Sequence, residues 1–167
     1  MIALNVSLKQ KRVVVVGGGK IAERRVKKIL HEEADLFVIS PSATNELKYF
    51  ADTGKLFWVK REFQSDDVKG AFLIIAATND AELNKRIASL ADNNQLTNIV
   101  SEFERGNVTF PASEKKGRLA ISVTTNGGSP KIASELCENF INQVDEIFIE
   151  DLNNQYYQRK IKKSNSN

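Results

Sequence analysis

Four consecutive valines at positions 13–16 run straight into three glycines at 17–19. An apolar, β-branched run without alternation is the mark of a strand buried on both faces, and such strands belong to parallel sheets covered by helices on each side. After the glycines, Ala22, Val26, Ile29 and Leu30 recur at helical spacing, leaving Arg24, Arg25, Lys27 and Lys28 for solvent. Gly17, Gly19 and Ala22 fit G-x-G-x-x-G/A between a strand and a helix. In that pattern the first glycine permits the tight turn. The second lets a pyrophosphate approach the backbone, and the small third residue lets helix and strand pack closely. The free N–H groups and aligned peptide dipoles at the helix start then face the anion. The turn is therefore expected to hold the phosphates of a dinucleotide.

The next stretch repeats the strand–helix alternation. Residues 36–40 (LFVIS), 55–59 (KLFWV), the run AFLIIAATND and residues 97–100 (TNIV) read as strands. Helices fall between them, one carrying Leu47 and Phe50 and another carrying Leu83, Ile87 and Leu90. A parallel return needs a long crossover, so the pattern predicts a doubly wound α/β sheet. Ala77 and Thr78 end the fourth strand, beside the switch point where such sheets bind ligands. The end of the second strand usually carries an acidic residue for the ribose hydroxyls. Here it reads VISPSATNE, with no carboxylate before Glu46 and no cation close behind, a pattern that points to NAD rather than NADP.

Past Val100 the rhythm changes. NVTFPA and RLAISV read as strands, and TTNGGSP leads into a long helix with Ser129 as N-cap and Pro130 in the first turn. Ile132, Leu136, Phe140, Val144 and Phe148 repeat along it, a stripe suited to a dimer interface. The sequence divides accordingly into a dinucleotide-binding domain at 1–106, a region of strands and a long helix at 107–150, and a polar, basic tail at 151–167 whose last residues, QRKIKKSNSN, are expected to fray. A chain of 167 residues with a charge of +3 has neither the basicity of a nucleic-acid binder nor an apolar run of membrane-spanning length. With a single cysteine and no signal-peptide pattern, a cytoplasmic protein is expected. Cys137 and Trp58 read as packing residues, and His31 as a partner for the last carbonyls of the first helix rather than a metal ligand; no metal site is expected.

The stretches VVVVGGGKIAERRVKKIL, AFLIIAATNDAELNKRI, TNIV…VTFPA and LAISVTTNGGSPKIASEL together resemble the precorrin-2 dehydrogenase / sirohydrochlorin ferrochelatase family, the N-terminal module of siroheme synthases. The resemblance implies a Rossmann-like parallel sheet with a small C-terminal dimerisation region, and a homodimer. It implies NAD-dependent oxidation of precorrin-2, a tetrapyrrole, to sirohydrochlorin, with the hydride passed to NAD; some members also insert ferrous iron. Carried over by position, Lys20 and Ile21 join Gly17, Gly19 and Ala22 at the phosphates, and Pro41 and Ser42 flank the adenosine ribose. Ser101 stands where the family has an aspartate in N-V-V-D, with Glu102 next to it, and Thr125 matches a serine near the substrate cleft. A serine without a neighbouring base is a poor proton acceptor. Either Glu102 or Glu104 supplies the base, or dehydrogenation needs none, or this chain is impaired. A non-catalytic NAD-binding module and an iron chelatase are the alternative functions. Arg105, Lys115, Lys116 and Arg118 are candidate partners for substrate carboxylates.

Overall fold

The structure, a computed structural model, describes residues 2–164. The chain divides into two compact units, Met1–Thr109 and Phe110–Asn167. The first contains strands β1 (Arg12–Val16), β2 (Asp35–Ile39), β3 (Phe57–Val59), β4 (Leu73–Ala76) and β5 (Leu96–Ile99). Helices α1 (Lys20–Ile29), α2 (Asn45–Asp52) and α3 (Ala81–Leu90) connect them. The strands form one parallel sheet in the order β3-β2-β1-β4-β5.

The valine run takes the centre of that sheet. Val13 to Val16 pair with Leu36 to Ile39 on one side and Leu73 to Ala76 on the other. Val13, Val14 and Val15 have no exposed surface. Burying a side chain of this size contributes roughly 1.5–3 kcal/mol, which is why the run contains no polar residue. The strand order reverses direction between β1 and β4, so their C-terminal ends open a crevice. Each crossover helix starts on a short polar residue or glycine. Gly19 is the N-cap of α1, the Thr44 hydroxyl accepts from Leu47 N, and the Asp80 carboxylate accepts from Glu82 N and Leu83 N.

The second unit pairs β6 (Ala112–Lys116) with β7 (Leu119–Val123) in an antiparallel hairpin and packs it against α4 (Pro130–Asn142). As the sequence predicts, Ser129 caps α4 through Ile132 N and Pro130 lies in its first turn. Cys137 is buried, its thiol 3.9 Å from Ile121 O. The strand expected in NVTFPA begins only at Ala112, because Asn107 N and Val108 N donate back to Thr97 O.

Two further expectations are corrected. The single long helix through Phe148 is two helices, α4 and α5 (Glu146–Ser164). Gln143 closes α4, and the Asp145 carboxylate accepts from Phe148 N at 2.7 Å, which starts a new helix. Lys116 Nζ covers the break by donating to Val144 O at 2.6 Å and pairing with Glu146 at 2.9 Å. The tail, expected to fray over QRKIKKSNSN, is helical to Ser164.

Candidate cofactor cleft

The three glycines differ in what holds them. Gly17 has φ +118°, and a Cβ there would lie 2.4 Å from Ala77 O. Its N–H donates to Ile39 O at 2.9 Å, so the turn is locked between β2 and β4. At Gly18 a Cβ would lie 1.9 Å from Ser42 O and 2.4 Å from Ser40 Oγ, and Gly18 O accepts from Thr44 N. This glycine docks the loop that follows β2. Gly19 is different. A Cβ there meets nothing within 4 Å, and no side chain caps the helix it begins. Nothing in the protein requires position 19 to be bare.

The space over Gly19 belongs to a cleft of about 900 Å³ along the C-terminal ends of β1, β2 and β4. That size suits a dinucleotide-scale ligand. Gly17, Gly19, Lys20 and Ile21 line it at the α1 end. Pro41 and Ser42 line it beyond β2, and Ala77 and Thr78 beyond β4. Ala22 is fully buried and is not in the lining, as expected of the residue that brings α1 close to the sheet. Gly18, within the expected phosphate turn, also lines the cleft, as do Glu62, Phe63, Leu83 and Arg86, which the sequence reading missed. Glu62 and Phe63 follow β3 in a loop without a motif. Leu83 was read from its periodicity alone as part of a buried stripe.

Helix α1 carries its own counterions. Glu23 in its first turn is held by the Thr44 hydroxyl, by Lys27 Nζ at 3.1 Å and by Lys20 Nζ at 3.2 Å. These contacts outweigh the cost of burial and lower its pKa from 4.5 to about 2. The carboxylate therefore stays ionised and anchors the glycine turn to the start of α2.

At the other end of the cleft the network runs through Asn84, which is 1% exposed on α3. Its Oδ1 accepts from Thr78 Oγ1 at 2.8 Å and Thr78 N at 3.3 Å, while Nδ2 donates to Thr78 O at 3.1 Å and Ser101 Oγ at 3.3 Å. Ser101 and Thr78 are thus joined through one amide. Ser101 accepts from Asn84, an arrangement that makes its oxygen a weaker proton acceptor still. Glu102 forms an ion pair with Arg105. Neither Ser101 nor Glu102 lines the cleft. Thr125 lies in the second unit, where its Oγ1 accepts from Ser129 N at 2.9 Å in the turn before α4. Trp58 Nε1 donates to Ser40 O at 3.1 Å, and His31 is exposed just past α1.

The candidate substrate cations have partners of their own. Arg105 holds Glu102, Lys116 holds Val144 O and Glu146, and Arg118 stacks 3.5 Å from the centroid of Tyr156. Among the described residues, no group of three or more His, Cys, Asp or Glu is placed to hold a metal ion. No described helix is long and apolar enough to cross a membrane.

Residues 4–112 match the family model described as "Putative NAD(P)-binding". The chain is 43% identical over 162 residues to a precorrin-2 dehydrogenase from Bacillus subtilis (strain 168), covering 97% of this chain and 100% of that protein. It is 34% identical to a precorrin-2 dehydrogenase from Priestia megaterium, covering 89% of this chain and 73% of the relative. The solved structure of SirC, precorrin-2 dehydrogenase, aligns with a TM-score of 0.82 at 33% identity, over 94% of this chain and 78% of the other.

Proposed function

Because this chain belongs to the precorrin-2 dehydrogenase family, we propose that its cleft binds NAD and that it oxidises precorrin-2 to sirohydrochlorin in siroheme biosynthesis. The reaction removes two hydrogens from the macrocycle, one as hydride and one as a proton. Bound NAD supplies the hydride acceptor.

The protein's part is to fix the geometry. The backbone of Gly17, Gly19, Lys20 and Ile21 would receive the pyrophosphate at the α1 N-terminus, where unpaired N–H groups and the helix dipole favour an anion. Ala22 supports that turn from behind. Pro41 and Ser42 would flank the adenosine ribose, with Ala77 and Thr78 at the switch point toward the nicotinamide half. Asn84 holds Thr78 through both its backbone groups and its hydroxyl, so that edge is rigid before ligand arrives. Loss of hydride leaves a delocalised cation on the substrate, which makes its remaining proton acidic. Water is then a sufficient acceptor, and the serine at 101 is compatible with turnover. Glu102, paired with Arg105, is not assigned as the base in this reading, and Thr125 is assigned to the turn before α4.

The observation that carries the proposal is Gly19, whose missing side chain would point into open cleft. The test is to mix purified protein, NAD and precorrin-2 and follow NADH absorbance. One NADH per precorrin-2 consumed is expected. Protein that binds NADH yet never reduces NAD with this substrate would support a non-catalytic binding module instead. We also assign the second unit to homodimer formation, on the strength of the apolar side chains that α4 and α5 leave exposed.

A further inference from the structure

The loop after β2 brings no carboxylate to the far end of a dinucleotide: it reads Ser40-Pro41-Ser42, and the first carboxylate beyond it, Glu46, faces Lys27 at 3.5 Å. One strand further out, the loop after β3 brings Glu62 and Phe63 to the same cleft. The two strand ends are joined, since Ile39 pairs with Val59 and Ser40 N donates to Val59 O at 3.2 Å. Adjacent strands lie about 4.8 Å apart, close to the distance from a ribose to the centre of its base. With the ribose over the end of β2, the base falls over the end of β3.

The β3 loop is built to hold a fixed position. Arg61 binds the Asp67 carboxylate through two nitrogens at 2.8 and 2.7 Å and also donates to Glu62 O at 2.8 Å. Asp67 Oδ2 accepts from Gln64 N at 2.7 Å. Bidentate pairing of this kind fixes orientation as well as distance. It also commits the adjacent Arg61 to Asp67, while Glu62 stays exposed at the cleft. Phe63 and Leu83 pack on the hydrophobic core from one side and line the cleft on the other. Arg86 closes the corner, with Nη2 donating to Ser65 Oγ at 2.8 Å. Apolar Phe63 and Leu83 with the Glu62 carboxylate at their rim suit a flat aromatic ring that carries a hydrogen-bond donor, while the other carboxylates of the lining, Asp80 and Glu82, are held by the α3 N-terminus and by Lys85.

We infer that this corner is an adenine subsite in which the Glu62 carboxylate accepts the exocyclic amino N–H of the base while Phe63 and Leu83 enclose the ring. The inference rests on the NAD reading above and adds which edge of the cofactor this chain reads. A carboxylate can only accept, so it distinguishes the amine of adenine from the carbonyl of hypoxanthine at the same position.

The experiment is calorimetry of the full chain with NADH, its hypoxanthine analogue and NADPH, for the wild type and Glu62→Gln. The wild type is expected to bind NADH about tenfold or more tightly than the analogue, the penalty of facing an acceptor with an acceptor. Glu62→Gln, whose amide can also donate, is expected to bring the two within about twofold while its melting temperature stays unchanged. Equal wild-type affinities for NADH and the analogue would overturn the adenine subsite and leave the NAD reading standing. So would a Glu62→Gln protein that keeps the preference, or one that alters only the NADH to NADPH ratio, which would place the carboxylate on the ribose. A wild type that binds none of the three removes the NAD reading and the subsite with it.

Discussion

At the scale of single residues, the glycine turn separates two roles that one motif merges. Gly17 is bare because the fold leaves no room, whereas a Cβ at Gly19 would meet only open space, which the proposed NAD site assigns to the ligand. Gly17→Ala adds a positive-φ penalty to a 2.4 Å clash with Ala77 O, so a loss of about 2–4 kcal/mol in urea denaturation is expected. Gly19→Ala is expected to melt at the wild-type temperature but to bind NADH on the order of tenfold more weakly by calorimetry. Equal melting of both variants would contradict this division. Gly17, Gly19 and the small Ala22 were legible in the sequence because their spacing relative to a strand and a helix is itself the signal. Asn84 was not, since an asparagine within an amphipathic helix reads as solvent-facing until the strands it meets are known. With four hydrogen bonds ending on its amide, Asn84→Ala leaves Thr78 N and Thr78 O without those partners, and about 2–3 kcal/mol of stability should be lost.

At the scale of elements, the sheet was readable because β1 and β4 are apolar throughout, and the crossover helices because apolar residues recur along each at helical spacing. The boundary between α4 and α5 was not read. Val144 and Phe148 fall in step with Ile132, Leu136 and Phe140, so periodicity passes through the break unaltered. The readable cue was Asp145 with Glu146 behind it, an N-cap followed by an acidic first turn. Asp145→Ala should cost about 1 kcal/mol, measured as a lower urea midpoint. The tie between α1 and α2 makes a pH prediction. Glu23 has a native pKa of about 2 against an ordinary value of 4.5, so folding favours its ionised form. Its stabilisation is complete above pH 4.5 and drains away as pH falls toward 2. Stability measured across that window should therefore fall less steeply in Glu23→Gln than in the wild type. Parallel curves would mean that the Thr44, Lys27 and Lys20 contacts do not tune this carboxylate.

At the scale of the whole molecule, alternation of strand and helix was enough to foresee a doubly wound sheet, because parallel strands leave few ways to connect. Oligomeric state has no such rule, and the argument for a dimer comes from what α4 and α5 bury. Ala133, Cys137 and Ile149 are buried, while Ile132, Leu136, Phe140, Ile147 and Phe148 are exposed. Two helices that turn their large side chains outward invite a second surface, since each such residue gains roughly 1.5–3 kcal/mol when covered. Several together exceed the cost of association at micromolar concentration. A second copy of the chain is the simplest partner, by a two-fold contact that pairs the patch with itself. Sedimentation of the wild type at micromolar concentration should give the dimer mass. The double variant Leu136→Glu, Phe140→Glu should sediment as a monomer, with its melting little changed because both positions are already exposed in the single chain. Its NADH affinity should match the wild type, since every residue lining the cofactor cleft lies in the first unit. A wild type that sediments as a monomer would end the dimer assignment. A double variant that stays dimeric would move the interface off α4.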